Sequence, residues 1–237
     1  MATFVLVHGA WRGSWLWKRV RPALQARGHD VHTPTLTGVG ERSHLASPQV
    51  NLETQILDVV NLLRWEELSD VVLCGHSYAG CVVTGVADRM PERIRALVYL
   101  DSFVPANGER LIDHLPAEQI EHMREGAKAR GQGFNVPPIP AAAFQGNVAD
   151  RDWVDRQCTF HPLACFEQPI ELTGGIDSVR NVTYVRATGY GGASPFDPFY
   201  ATAQAKGWQT LTIDCGHDVM LDRPEELTET LLQVAQP

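Results

Sequence analysis

The sequence predicts an α/β fold, a mostly parallel sheet with helices on both faces. Three observations carry this. Short, continuous apolar runs rich in Val recur at 3–7, 71–74 and 94–100, as strands buried on both faces require. Amphipathic stretches separate the runs, so strand and helix alternate as in right-handed βαβ units. With 237 residues and 44% apolar composition, the chain is long enough to bury one core.

The elements follow in order. The run TFVLV at 3–7 ends at His8-Gly9. Trp15, Val20 and Leu24 recur at helical spacing before Arg27-Gly28, a helix stop. A brief strand at 30–32 leads into the loop TPTLTGVGERSHLASPQ, and Leu52, Ile56, Val59, Val60 and Leu63 mark the next helix. Strand 71–74, helix 81–90 and strand 94–100 come next. The later part reads as strand 182–187, helix 199–206, strand 209–213 and a closing helix over 225–234, begun by Arg223-Pro224.

Residues 105–178 break the alternation. They hold helical patterns at 111–129 and 150–158 around the Gly- and Pro-rich piece GQGFNVPPIPAAAFQGN, with no strand expected. So long a segment between two strands is too long for a loop. It is expected to form a helical cap, inserted after the strand ending near Leu100 and lying over the strand ends where such sheets bind ligands. The chain then forms a single domain over 1–237, with a core at 1–104 and 179–237.

Composition narrows the function. A net charge of −8 and the lack of any Lys/Arg run argue against nucleic acid. The N-terminus has neither a charged lead nor a long apolar segment, so no signal peptide, anchor or membrane association is expected. Five cysteines, odd in number and without a C-x-x-C pair, read as reduced thiols and a cytoplasmic location.

The chemistry centres on Val71-Val72-Leu73-Cys74-Gly75-His76-Ser77-Tyr78-Ala79-Gly80. A sharp strand-to-helix turn lifts one side chain above the sheet, and its crowding demands small residues two before and two after the serine. Gly75 and Ala79 hold those places, Ala79 where glycine is usual. A helix-capping serine is the plain alternative. A second feature favours a nucleophile: His8-Gly9-Ala10-Trp11 follows the first strand, and such a loop supplies an oxyanion-binding N–H. Ala10 and Tyr78 would be the two backbone donors.

Of nine histidines, His217 in Asp214-Cys215-Gly216-His217-Asp218 follows the last strand, where a general base belongs. His8 and His76 read as turn-orienting groups, His29 and His32 point to opposite strand faces and make no metal pair, and His44, His114, His122 and His161 read as solvated loop or cap residues. The carboxylate is less plain. The loop after strand 182–187, Thr188-Gly189-Tyr190-Gly191-Gly192, contains no acid. Asp101 ends the apolar run 94–100, a costly place for an unpaired carboxylate, and is favoured; Asp197, which also reads as a first-turn helix acid, is the alternative.

Together LVHGAW, GHSYAG, CGHDVM and Arg223-Pro224-Glu225-Glu226-Leu227 resemble the α/β-hydrolase superfamily, in its compact branch of plant hydroxynitrile lyases, methyl-salicylate-type esterases and bacterial serine esterases. The resemblance spans the whole chain. It implies an α/β-hydrolase fold with a Ser77, His217 and Asp101 triad, and its plant members carry the acid one strand later, where this chain has Gly189 and Tyr190. Some haloalkane dehalogenases of the superfamily place it as at Asp101. The resembled lyases use a threonine after His-Gly and a lysine after the histidine; Ala10 and Asp218 stand there, which disfavours cyanohydrin cleavage.

The expected activity is serine-dependent hydrolysis of small, largely apolar carboxylic esters, with carbamates and lactones as further substrates and no metal or organic cofactor. A lyase or cofactor-free oxygenase on the same scaffold, or a slow-turnover receptor, is the alternative. Trp11, Phe134, Phe144, Trp153 and Phe160 are candidates for an apolar pocket. A monomer or homodimer acting on a small molecule fits these expectations.

Overall fold

The computed structural model describes residues 1–189 and 193–236. Its sheet has the order β2-β1-β3-β4-β7-β8, every neighbouring pair parallel. The strands are β1 (Thr3–Val7), β2 (Asp30–His32), β3 (Val71–His76), β4 (Ile94–Leu100), β7 (Val182–Ala187) and β8 (Gln209–Ile213). The two-residue strands β5 (Asn135–Val136) and β6 (His161–Pro162) pair antiparallel within the inserted segment. No strand was expected there: a two-residue pair is too short to leave an alternation in the sequence.

Strand alternation divides the core into two. Val5, Val7, Leu73, Leu97, Tyr99 and Tyr184 face one side, against α2 (Leu52–Trp65), α3 (Ala79–Arg89) and α7 (Asp197–Ala205). Phe4, Leu6, Cys74, Val98, Leu100 and Val185 face the other, against α1 (Val20–Gln25), α8 (Val219–Asp222) and α9 (Pro224–Val234). Both faces are covered, which explains why the central strands read as unbroken apolar runs. Helix α2 starts on a reciprocal cap, with Asn51 Oδ1 accepting from the Thr54 amide and the Thr54 hydroxyl accepting from the Asn51 amide. The first expected helix begins instead as a 3-10 turn at Ser14–Trp17 before α1, because Pro22 lacks the N–H of a continuous ladder but suits a first turn.

Between β4 and β7 lie α4 (Ala117–Arg130), α5 (Arg151–Gln157), α6 (Ala164–Glu167) and several 3-10 turns. Among the described residues no helix is long and apolar enough to cross a membrane.

Candidate active site

Residues that follow the C-terminal ends of β1, β3 and β4 line one cavity of about 320 Å³. Ser77 follows β3 directly. Its φ of 57° is left-handed, a conformation that serine adopts only when its surroundings enforce it. Its amide donates to the Leu100 carbonyl at 3.2 Å, its carbonyl accepts from the Phe103 amide at 3.2 Å, and the turn is crowded on both sides. A Cβ at Gly75 would sit 2.7 Å from the Ala79 carbonyl, and one at Gly80 would run into the Phe103 carbonyl. Gly80 therefore lets α3 close on the chain leaving β4. Ala79 is fully buried at the first turn of α3, so its methyl is accommodated where glycine is usual.

Asp101 follows β4 with a φ of 42° and is fully buried. Its Oδ2 lies 2.7 Å from His217 Nδ1. Its Oδ1 accepts from Arg186 Nη1 at 2.6 Å and from the Ala187 amide at 3.1 Å. Both Oδ1 contacts come from N–H donors, one of them a charged guanidinium. Asp197 takes a different place: it opens α7, accepts from the Ser194 amide at 2.8 Å, and pairs with the outer edge of Arg186. The Ser194 amide, then Arg186, holds the Asp197 carboxyl below its usual range, with partial burial opposing them. Arg186 thus bridges the two candidate acids, and only Asp101 touches the histidine. Residues 190–192, in the loop read as lacking an acid, lie outside the described residues.

His217 is fixed by its neighbours. Its amide donates to the Phe144 carbonyl at 3.0 Å, and its own carbonyl accepts from His76 Nε2 at 3.0 Å. Its ring is stacked by Phe196 at 4.9 Å and Phe144 at 5.3 Å. With Nδ1 facing Asp101, Nε2 is the ring nitrogen turned away from the carboxylate. His76 and His8 are turn-orienting, as read. Burial, then His217, keeps His76 well below the ordinary histidine range; burial lowers His8 to about 4. His8 holds the Gly9 carbonyl and accepts from the Leu36 amide.

The two expected oxyanion donors both line the cavity with Ser77. Among the described residues neither the Ala10 nor the Tyr78 amide donates a hydrogen bond within the chain, whereas the amides of Trp11 and Ser77 beside them do. Next to Ala10, Trp11 has a φ of 63°, a strained conformation for a bulky residue worth about 1–3 kcal/mol. Arg12 is buried and pairs with Asp218 at 3.0 Å, joining the loop after β1 to the residue after His217. Burial opposes both charges, but Asp218 and Cys158 hold the Arg12 guanidinium above its ordinary value and Arg12 holds the Asp218 carboxyl below its own.

The cavity wall is apolar, and no charged side chain is among its described lining residues. Trp11 and Phe144 line it as expected. Phe134, Trp153 and Phe160 do not. Trp153 packs edge-on to Trp15 at 5.1 Å under the Lys18 ammonium, and Phe134 gives its carbonyl to Leu163. Their places are taken by Phe103, Leu111, Met123, Ile139, Phe166 and Phe196. Aromatic character alone was the signal used, and it does not separate wall from filler; nearness to a motif does better, since Phe103 lies two residues past Asp101.

One histidine also departs from expectation. His161, read as solvated, is fully buried, because β6 carries it beneath the cap against Phe166 and Tyr78. Burial lowers it to about 3, so it stays neutral. Arg186 and Arg12 were likewise missed: a lone arginine in a strand or loop carries no sequence sign of its partner.

A family model described as "Alpha/beta hydrolase family" matches residues 4–230. A "Carbendazim hydrolyzing esterase" of Nocardioides sp. (strain SG-4G) is 47% identical over 240 residues, covering 98% of each chain. An "Alpha-hydroxynitrile lyase" of Arabidopsis thaliana is 32% identical over 124 residues, covering 52% of this chain and 46% of its own length. An extracellular alpha/beta-hydrolase from a Paenibacillus species has the same fold, with a TM-score of 0.87 at 23% identity over the full length of both chains. The chain belongs to the alpha/beta hydrolase family.

Proposed function

We propose that this protein is a serine hydrolase that cleaves small, largely apolar carboxylic esters through an acyl-enzyme. The observation that carries the reading is Ser77, in strained backbone and lining a cavity without charged side chains, together with the buried Asp101–His217 pair, whose imidazole stacks on the lining residues Phe144 and Phe196. Ser77 Oγ attacks the ester carbonyl while His217 Nε2 takes its proton. Asp101 keeps the imidazole in its productive tautomer and stabilises the imidazolium. The Ala10 and Tyr78 amides bind the oxyanion, each worth about 3 kcal/mol in the transition state. The alcohol leaves with the proton from His217, and water, activated by the same nitrogen, releases the acid.

The Nocardioides relative, an esterase by name, supports ester hydrolysis over lyase chemistry. So does the Arg12–Asp218 pair, which puts a neutralised carboxylate where the resembled lyases place a lysine. The site is assembled within one chain, which suits a monomer or a homodimer. Five free cysteines, four of them buried, fit a cytoplasmic location.

Replacing Ser77 by Ala tests the reading: turnover of p-nitrophenyl esters should fall by about a million-fold if Ser77 and His217 act as a unit. A fluorophosphonate should label Ser77 in the unaltered protein. Activity near the starting level in Ser77→Ala, or cyanide release without labelling, would give the site to other chemistry. A panel of chain lengths with a carbamate and a lactone then ranks the substrates.

A further inference from the structure

Trp11 is held on three sides by the cap. Its amide donates to His161 Nδ1 at 3.2 Å, its carbonyl accepts from the Thr159 amide at 3.0 Å, and its indole N–H donates to the Val136 carbonyl at 3.2 Å. All three partners come from the paired strands β5 and β6 or the residues leading into β6. The residue they hold is left-handed and directly follows Ala10. A strained conformation persists only where the surroundings over-determine it.

His161 contributes the one side chain among these partners. Because Nδ1 accepts from an amide, the proton of the neutral ring sits on Nε2, and Nε2 is buried without a hydrogen-bond partner. Leaving a buried donor unpaired is unfavourable. Packing does not require it, since a phenyl ring would fill the same space against Phe166 and Tyr78. What phenyl cannot do is accept the Trp11 amide.

We propose that His161 is a positioning residue for the oxyanion site: by accepting the Trp11 amide, it fixes the peptide following Ala10 and so the direction of the Ala10 N–H. The cap thereby sets the geometry of transition-state binding as well as covering the cavity. This rests on the reading of Ala10 as an oxyanion donor. Full burial keeps the ring neutral, so the acceptor persists through the working pH range.

The test compares His161→Phe with His161→Gln, using a p-nitrophenyl ester and an aryl trifluoromethyl ketone. The ketone forms a tetrahedral adduct with a nucleophilic serine, and its oxyanion needs the same donors as the transition state. In His161→Phe, kcat should fall about 10- to 100-fold, as partial misaim of one donor does, while KM changes less than about threefold. Affinity for the ketone should fall by the same factor as kcat/KM. His161→Gln, whose amide oxygen can accept from Trp11, should recover most of both. The melting temperature should move by only a few degrees, because one unpaired buried donor replaces another. Unchanged kcat and ketone affinity in His161→Phe would overturn the proposal, as would a fall in kcat without a matching loss of ketone affinity. Should the variant fail to fold, ¹⁵N shifts of the unaltered protein decide: an Nε2–H tautomer of His161 at pH 7 supports the proposal, and an Nδ1–H tautomer or a charged ring overturns it. If the unaltered protein forms no ketone adduct and Ser77→Ala stays active, the hydrolase reading itself fails.

Discussion

The floor and the roof of the cavity are built on different terms. Ser77 and Asp101 directly follow the adjacent parallel strands β3 and β4, and Ala10 lies three residues past β1, so the ladder of these strands brings all three to one end of the sheet. Two of these floor residues, Ser77 and Asp101, are in left-handed backbone, and buried contacts hold both. The roof, from residues 105 to 178, is short helices and 3-10 turns with half-buried apolar side chains such as Leu115 and Ile139. The difference teaches where tolerance lies. In the proposed mechanism floor residues act through direction, so small displacements are costly; roof residues act through apolar area, which many side chains supply.

The largest expected effect is on the floor. Asp101→Asn should lower kcat by about 10⁴-fold on folded protein, because the histidine loses its tautomer and charge partner. Asp197→Asn, altering an exposed carboxylate that reaches the site only through Arg186, should change kcat by less than about threefold. A large loss confined to Asp197→Asn would mean that the acid had been assigned to the wrong strand.

The seam between floor and roof holds three buried neutral histidines, His8, His76 and His161. The unfolded chain takes up protons near the ordinary value of 6.5, while the folded chain resists until about 4 at His8, about 3 at His161 and well below the ordinary value at His76. Unfolding therefore binds protons, and stability falls as the pH drops below 6.5. Between pH 7.5 and 5.5 the loss should be roughly 1.4 kcal/mol for each, about 4 kcal/mol together, read from urea unfolding at the two pH values. A stability flat over that range would show that the seam is hydrated.

A smaller effect separates roof wall from roof filler. Ile139→Ala should raise KM for an apolar ester by about fivefold to tenfold through lost contact area, with kcat kept. Trp153→Ala, removed from the cavity, should leave KM within about twofold whatever it does to stability. The smallest effect is expected at the elbow: Ala79→Gly should alter kcat by less than about threefold, and destabilise the start of α3 by about 0.5–1 kcal/mol in thermal unfolding.

Much of the floor was legible because its constraints are local. The crowding at the elbow demands Gly75 and Gly80 within a few residues of Ser77, and the His-Gly after β1 marks the oxyanion loop. Asp101 was legible from cost, as a carboxylate ending an apolar strand. Its partner was not. Arg186 lies 85 residues away, and a single arginine in β7 looks the same whether it faces solvent or an acid. His161 illustrates the opposite error. In a segment without periodicity nothing in the sequence distinguishes a surface histidine from one that reaches 150 residues back to the Trp11 amide.

By itself the sequence determined the α/β alternation, the placing of Ser77, Asp101 and His217 after successive strands along the chain, and the small residues the turn at Ser77 needs. These follow from backbone sterics and from side-chain periodicity, which act over a few residues. Only the tertiary structure decided which carboxylate meets His217, which apolar residues wall the cavity, and that the cap holds Trp11. Those depend on pairs far apart in the chain, and their energies appear only when folding removes water from both partners at once.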